Sequence, residues 1–201
     1  MRVFLASSNV GKLREYRELA AGTALEIGPL PNFLQLRPFE ESAPTFAENA
    51  AGKALHYCRF TPEIVLSDDS GLAVPALGGA PGVRSARYAG PDASEIENVR
   101  KLLSAMEGKE AEDRRARFVC VVAVAQRGRM LVVSSDCVEG SIAKEPRGRG
   151  GFGYDPVFFF PVTGCTFAQI SAEEKNRFSH RGKAFRKAVD FLIPLNLCAT
   201  K

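Results

Sequence analysis

The hydrophobic residues near the start of the chain follow two patterns in turn. Residues 3–6 form a short continuous apolar run, which predicts a buried strand. After a polar stretch at residues 7–12, apolar residues recur at helical spacing over residues 13–20, with charged residues between them. This order predicts a strand, a polar loop and an amphipathic helix.

Three further helices are predicted from capping residues and helical spacing. The sequences TFAE at residues 45–48 and SEIE at residues 94–97 have the spacing of a capping box, which marks the start of a helix. We therefore expect one helix over residues 46–57 and a second that runs from this second box towards Met106. A last helix is expected over residues 180–192, which carry an apolar face.

The other strands are predicted from apolar and β-branched runs. Residues 118–125 read FVCVVAVA, and a tight turn at residues 127–129 leads into a returning run at residues 130–133, so we expect a hairpin. The apolar run at residues 64–66 predicts a strand that ends at two adjacent aspartates. Because helices and strands alternate early and a hairpin follows, the chain is expected to be an α/β protein with a mixed sheet.

Composition and charge narrow the class of protein. The chain has 201 residues, 45% of them hydrophobic, and a formal net charge of +4, which is too weak to indicate a nucleic-acid binder but suits a small anionic substrate. Its five cysteines are odd in number and contain no C-x-x-C pair, so neither a disulfide framework nor a zinc site is indicated. We expect no signal peptide, no membrane span and a cytoplasmic location.

Two pairs of neighbouring acidic residues are the strongest candidates for chemistry. Asp68 and Asp69 repel each other and raise each other's pKa, unless a cation, a proton or water relieves them. The same residues with the following Ser-Gly are also good turn chemistry, and that alternative stays open. With Glu40-Glu41, Lys12 and Lys53, the chain has the residue types of a Mg²⁺-triphosphate site, since hard cations prefer carboxylates and phosphates prefer lysines and backbone amides.

Two glycine-containing segments could approach a ligand closely. Residues 7–12 precede a predicted helix and end in a lysine, which suits phosphate, although a capped loop with a surface lysine explains them equally well. Residues 148–153 match the G-x-G-x-x-G fingerprint formally. Because Pro156 makes a helix directly after them unfavourable, we reject the dinucleotide interpretation.

Six segments in this order resemble the Ham1 family, the RdgB-type inosine and xanthosine triphosphate pyrophosphatases. They are SSNVGK near the start, TFAENA-x-x-KA at 45–54, DDSGL at 68–72, LGGAPGVRSARYAG at 77–90, GGFGYDPVF at 150–158 and EEKNRFSHRGKA at 173–184. The resemblance implies an elongated, two-lobed mixed β-sheet flanked by helices, like that of the Maf and Ham1 proteins. It implies a single domain over residues 1–201, with the active site in the cleft between the lobes, and a homodimer.

The resemblance also implies an activity and a set of site residues. Such proteins use Mg²⁺ to cut ITP, dITP or XTP into the monophosphate and pyrophosphate. Carried over by position, Asp69 is the proton acceptor and, with Glu41, a metal ligand. Lys12 and Lys53 are our own candidates for neutralising the charge of the phosphates. The residues implied to bind the triphosphate are Ser7, Ser8, Asn9, Val10, Gly11 and Lys12. Those implied to contact the rest of the substrate are Ser70, Phe152, Gly153, Tyr154, Asp155, Lys175, His180 and Arg181.

Two other functions compete with this one. A Maf-type pyrophosphatase for modified pyrimidine nucleotides shares the expected fold, but GGFGYDP and SHRG favour the Ham1 family. A non-catalytic nucleotide-binding regulator is the second alternative, and the presence of Lys12, Glu41 and Asp69 argues against it.

Overall fold

The computed structural model describes residues 1–199, and the side chains of residues 1–194. The helices are α1 (Val10–Ala20), α2 (Phe46–Tyr57), α3 (Glu95–Ala105), α4 (Ala172–Phe178) and α5 (His180–Ala199). The strands are β1 (Arg2–Leu5), β2 (Glu26–Pro29), β3 (Ile64–Ala73), β4 (Arg115–Gln126), β5 (Arg129–Ile142), β6 (Phe158–Phe160) and β7 (Cys165–Thr166). Within this part of the chain, no helix has the length and apolar character needed to span a membrane.

The strands form a mixed sheet in the order β2-β1-β3-β4-β5-β6-β7. β1 pairs in parallel with β2 and with β3, so that Val3 lies opposite Ile27 on one side and Ile64 on the other. β6 pairs antiparallel with β5 and with β7. β4 and β5 are joined by Arg127 and Gly128, whose φ angles are 50° and 77°. Two successive positive φ angles are typical of the turns whose twist suits a hairpin.

The chain divides into two compact units. The first contains residues 1–69, residues 120–136 and the chain from residue 180 onward, and the second contains residues 70–119 and 137–179. The prediction of a single domain with its active site in a cleft between two lobes stays a prediction.

The first unit buries apolar side chains on both faces of its strands. Side chains alternate between the faces along a strand. Leu66 of β3 therefore packs in a cluster with Tyr16 of α1 and Phe185 of α5. Val65, its neighbour, packs in a second cluster with Ala54 of α2. Since both faces are covered, β1 and the start of β3 are almost continuously apolar, as expected for parallel strands between helices.

The second unit has its own aromatic core. Phe118 of β4, Phe158 of β6 and Phe167 are buried together with Leu102 of α3. The ring centroids of Phe118 and Phe158 are 4.5 Å apart, and those of Phe158 and Phe167 are 5.0 Å apart. Contacts of this kind stabilise the core beyond the burial of apolar area alone.

Most of the predicted elements are confirmed. The first strand, the helix that follows it, the hairpin and the helix over residues 46–57 are all present. The capping box of α3 is present as predicted, since Ser94 Oγ accepts from the Glu97 amide and the Glu97 side chain accepts from the Ser94 amide. Cys58 and Cys120 are buried free thiols. The side chain of Cys198 lies outside the described residues.

Two elements are longer than predicted. The third strand does not end at the aspartates but continues to Ala73, so the alternative that Asp68-Asp69-Ser70-Gly71 forms a turn is wrong. The last helix runs through Pro194 to Ala199 rather than ending near residue 192. A proline removes one helical donor, but it can kink a helix instead of ending it.

Candidate active site

The two adjacent aspartates of β3 lie on opposite faces of the sheet. By the alternation of side chains, Asp68 faces α1 and α5, and Asp69 faces α2. Ser67 lies two residues before Asp69 on β3 and therefore on the same face of the sheet. Its hydroxyl donates to the Ala50 carbonyl of α2 at 2.6 Å. Asp68 is fully buried and Asp69 is 6% exposed. The carboxylates are therefore neighbours in sequence with separate surroundings.

Asp68 belongs to a buried cluster of alternating charges. Its Oδ2 atom lies 3.0 Å from Lys12 Nζ and 3.5 Å from Arg181 Nε. Arg181 in turn forms an ion pair with Glu15 of α1, and both of these side chains are buried. Two carboxylates thus meet two cations. Of the three means by which the aspartates could be relieved, Asp68 therefore has cations, which are the side chains of Lys12 and Arg181.

The pKa values in this cluster follow from the same contacts. Burial by itself raises the pKa of Asp68, but Lys12, Arg181 and Lys53 outweigh it and hold that pKa well below the ordinary range. Burial disfavours the charged form of Arg181, but Glu15 and Asp68 more than offset it, so the pKa of Arg181 lies above its ordinary value. Both groups remain charged at neutral pH.

Two neutral groups complete this face. The Cys120 thiol lies 3.9 Å from Asp68 Oδ2. Burial, followed by the charge of Asp68, raises the pKa of Cys120 to about 12 and raises that of Tyr16 well above its ordinary value. The thiol and the phenol therefore stay protonated, and neither is a nucleophile at neutral pH.

Asp69 has a different set of neighbours, contributed by α2 and the segment before it. Asn49 Nδ2 donates to Asp69 Oδ2 at 3.0 Å. Lys53, one turn further along α2, forms an ion pair with Glu41 and donates to the Asp68 backbone carbonyl at 2.8 Å. Asn49 and Lys53 are buried, and the Glu41 side chain is 30% exposed.

These neighbours make Asp69 a carboxylate of unusual basicity. Burial, and next the charge of Glu41, raises the pKa of Asp69 to about 6. Burial disfavours the charged form of Lys53, but Glu41 and Asp68 outweigh it, so the pKa of Lys53 lies above its ordinary value. A general base has to be ionised at the working pH and still bind a proton well. A carboxylate with a pKa close to neutrality meets both requirements.

The donor set around Asp69 fits a divalent cation that is shared with a ligand. In the described part of the chain, no group of three or more His, Cys, Asp and Glu side chains could hold a metal ion by itself. Glu41 and Asp69, however, are near enough for one to raise the pKa of the other, so a cation placed beside both would be favoured. Mg²⁺ at nucleotide sites is bound by one or two carboxylates, with phosphate oxygens and water as its remaining ligands. The two carboxylates therefore fit this kind of metal site.

The segment at residues 7–12 forms the start of α1. Asn9 caps the helix, since its Oδ1 accepts from the Lys12 amide at 3.0 Å, and Ser7 Oγ accepts from the Asn9 amide at 3.2 Å. Ser8, Asn9 and Val10 are exposed, and Gly11 is half-buried. The start of an 11-residue helix offers backbone N–H groups and the positive end of the helix dipole to an anion.

The second unit brings together three of the residues predicted to contact substrate. Lys175 of α4 forms a buried ion pair with Asp155, and its Nζ lies 4.9 Å from the centroid of the Phe152 ring. Asp155 Oδ2 also accepts from the Phe152 amide at 2.9 Å. Gly151 has a φ of 69°, and a Cβ atom there would lie 2.0 Å from Asp155 Oδ2. A side chain at residue 151 would therefore displace the carboxylate that holds Lys175.

The remaining predicted residues are placed as follows. Tyr154 is buried and donates its hydroxyl to the Ser85 carbonyl at 2.8 Å, so it also fixes the loop to the motif at 77–90. Ser70 is half-buried on β3, in the second unit. His180 is buried at the first position of α5. The contacts of Arg181 lie with Glu15 and Asp68, and its predicted role towards a nucleoside stays a prediction.

Sequence reasoning missed the polar residues that hold this site together. Glu15 and Asn49 are given no role by the sequence, although each contacts a predicted site residue. Asp68 is singled out only for its repulsion with Asp69, and its contact with Lys12 is not foreseen. The helical spacing of Glu15 from Lys12 and the position of Asn49 in TFAEN were visible in the sequence. Their partners were not, because these contacts join distant parts of the chain.

The fold and the site together define a class of protein. The chain is an α/β protein with a mixed sheet, in which a buried carboxylate of raised pKa lies beside a second carboxylate and a lysine. The model of the Ham1 family matches residues 3–191, and the chain belongs to that family.

Relatives and solved structures agree with this assignment. The chain is 48% identical to a dITP/XTP pyrophosphatase of Geobacillus kaustophilus, over 92% of this chain and 91% of the relative. It is 47% identical to one of Desulforamulus reducens, over 96% of each. A HAM1 protein from Coxiella burnetii superimposes with a TM-score of 0.85 at 40% identity, over 96% of this chain and 99% of the other. The Ham1 protein of Staphylococcus aureus gives 0.84 at 36% identity, with the same coverage. The predicted family and fold class are confirmed.

Proposed function

We propose that this protein is a Mg²⁺-dependent pyrophosphatase that hydrolyses ITP, dITP and XTP to the monophosphate and pyrophosphate, and so removes deaminated purines from the nucleotide pool. The substrate class is supported by the two relatives named as dITP/XTP pyrophosphatases at 48% and 47% identity. The observation that carries the chemistry is Asp69, whose pKa of about 6 arises from burial and from Glu41.

Asp69 is proposed to orient the attacking water and to accept its proton. The water oxygen forms a bond to the α-phosphorus, and the bond from that phosphorus to the bridging oxygen breaks. The bonding electron pair leaves with pyrophosphate, so the products are the monophosphate and pyrophosphate, with the proton of the water held by Asp69. Without a metal ion, the pKa of Asp69 is about 6, so its carboxylate is ionised at neutral pH and available to accept the proton; a bound cation would lower this pKa.

Glu41 and Asp69 are the residues that we propose hold Mg²⁺. When bound, the ion supplies positive charge that polarises the phosphoanhydride and stabilises the leaving pyrophosphate. Lys53 keeps the Glu41 carboxylate in place through their ion pair. We further propose that the backbone amides at the start of α1, within residues 7–12, and the Lys12 ammonium bind the phosphate chain.

Recognition of the base is proposed to depend on the second unit. Phe152 offers an aromatic face, and Lys175, held by Asp155, offers a donor to the 6-oxo group that hypoxanthine and xanthine carry and adenine lacks. Lys175→Ala is expected to reduce the ratio of kcat/KM for ITP over ATP. An unchanged ratio would mean that Lys175 does not contribute to the preference for ITP over ATP.

We also propose, as the sequence predicts, that the protein is a cytoplasmic homodimer.

The decisive experiment is pyrophosphate release from a panel of nucleoside triphosphates. ITP, dITP, XTP, ATP, GTP and a modified pyrimidine triphosphate are compared, with Mg²⁺ and with excess chelator. We expect turnover of the first three in Mg²⁺ and its loss in chelator. Preference for the pyrimidine nucleotide would indicate a Maf-type enzyme, and nucleotide binding without turnover would indicate a regulator.

A further inference from the structure

Asn49 of α2 is fully buried and uses every hydrogen-bonding group of its carboxamide. Its Oδ1 accepts from the Ala43 amide at 3.0 Å. Its Nδ2 donates to the Ala43 carbonyl at 3.2 Å and to Asp69 Oδ2 at 3.0 Å. The carboxamide thus forms two hydrogen bonds with the backbone of Ala43 and a third with the carboxylate of Asp69.

These bonds join the two chain segments that carry the acidic residues of the site. Ala43 lies two residues after Glu41, in the segment that leads into α2, and Asp69 lies on β3. Lys53, four residues after Asn49 and so on the same helix face, reaches the same two segments through its ion pair with Glu41 and its bond to the Asp68 carbonyl. One face of α2 therefore fixes both carboxylates.

From this geometry we infer that Asn49 is a positioning residue for Asp69. Within the described side chains, Asn49 is the hydrogen-bond donor to the Asp69 carboxylate. By engaging Oδ2, it fixes the rotation of the carboxylate and directs Oδ1 towards the reacting water. Through Ala43, it also sets the distance between Asp69 and the segment of Glu41. The inference rests on the proposed function, because it concerns the base of that reaction.

The chain contains a matched control in its second unit. Asn98 of α3 occupies the same position after its capping serine as Asn49 does after Thr45, in the sequence SEIEN. It is buried, its Oδ1 accepts from the Ala89 amide at 2.7 Å, and its Nδ2 donates to the Ala86 carbonyl at 3.1 Å. Asn98 therefore fastens a loop to a helix as Asn49 does, without a bond to Asp69.

The test compares Asn49→Ala with Asn98→Ala. Both variants lose two bonds to the backbone, and Asn49→Ala also loses the bond to Asp69, so the unfolding midpoint in urea should fall in both and somewhat further in Asn49→Ala. Only Asn49→Ala is expected to lose kcat for ITP, by about 10- to 100-fold at saturating Mg²⁺ with KM little changed, since a misdirected base affects the chemical step. Asn49→Ser serves as a second variant if the alanine variant does not fold.

A further variant separates positioning from structure. Asn49→Asp can still accept from the Ala43 amide, but it places a second carboxylate against Asp69. We expect its kcat at about pH 8 to fall below that of Asn49→Ala, because like charges repel, although the Ala43 amide should exchange with solvent more slowly than in the alanine variant. A purely structural role predicts the opposite order of kcat, because aspartate is the closer isostere.

Each outcome decides one question. Equal kcat for Asn49→Ala, Asn98→Ala and the unmodified protein overturns the positioning role, as does a kcat for Asn49→Asp above that of Asn49→Ala. Absence of pyrophosphate release by the unmodified protein overturns the proposed function instead. In that case, the exchange rate of the Ala43 amide still tests the attachment of α2 to the Glu41 segment. Equal rates in Asn49→Ala and the unmodified protein would show that Asn49 does not hold this segment.

Discussion

The neighbouring aspartates on the two faces of β3 have pKa values that are shifted in opposite directions. Asp68 meets Lys12 and Arg181, and its pKa lies below the ordinary range. Asp69 meets a neutral amide from Asn49 and the charge of Glu41, and its pKa rises to about 6. Burial is similar on both sides, so the difference comes from the sign of the nearest charges. A buried carboxylate with two cations stabilises the fold, whereas one left beside another carboxylate is suited to accept a proton or to help bind a cation.

The largest expected effect is a loss of turnover when Asp69 alone is changed. Asp69→Asn should lower kcat for ITP by about 10²- to 10⁴-fold, because the general base is removed while the acceptor for Asn49 Nδ2 remains. The measurement is steady-state pyrophosphate release, with circular dichroism as the control for folding. A kcat within a factor of two of the unmodified protein would remove Asp69 from the mechanism.

The next effect concerns stability on the other face. Asp68→Asn leaves the buried Arg181 and the half-buried Lys12 with one carboxylate fewer, so the free energy of unfolding near pH 7 should fall by about 3–5 kcal/mol. Because the pKa of Asp68 is lowered on folding, this stabilisation is present above its ordinary value of 3.8 and is lost as the pH falls further. Urea unfolding at several pH values measures it.

A matched control for Asp68 lies on the surface. Glu110 pairs with Lys144 at 3.0 Å, and both side chains are at least 70% exposed. Glu110→Gln should change the free energy of unfolding by no more than about 1 kcal/mol. A loss for Asp68→Asn that is no larger would mean that the buried cluster contributes nothing beyond an exposed pair.

A smaller effect, of opposite sign, is expected for stability on the Asp69 face. The pKa of Asp69 is raised on folding from 3.8 to about 6, so its contribution is present at low pH and is lost as the pH rises through this range. In chelator above about pH 7, Asp69→Asn should therefore stabilise the protein, by up to about 3 kcal/mol. The gain should vanish below about pH 4. Unchanged or reduced stability in urea unfolding at the higher pH would show that Asp69 is not strained by burial and by Glu41.

The smallest effect tests how the Asp69 face is attached to α2. Ser67 is buried and donates its hydroxyl to the Ala50 carbonyl. Ser67→Ala removes this bond and leaves little space, so the free energy of unfolding should fall by about 1 kcal/mol. A loss as large as that expected for Asp68→Asn would mean that this single hydrogen bond stabilises the protein as much as the ion pairs of Asp68 do.

The sequence indicates candidate residues for the chemistry but not the surroundings in which they lie. Asp69, Glu41 and Lys53 were singled out from motifs, and the structure brings them together. The sequence predicts that Asp68 and Asp69 repel each other unless a cation, a proton or water relieves them, because adjacency in sequence suggests adjacency in space. In an extended strand, however, neighbouring side chains point to opposite faces, and β3 continues through both residues.

By itself, the sequence determined the local elements and the residue types of the site. Helical spacing, capping residues and β-branched runs act within a few residues, so they could be read directly from the chain. The resemblance to the Ham1 family implies Asp69 as the base, but only the tertiary structure shows why Asp68 is a structural ion and Asp69 a candidate base. That outcome depends on Coulomb interactions over a few ångströms between groups far apart in sequence, such as Lys12, Asp68 and Arg181, and on the water that burial removes.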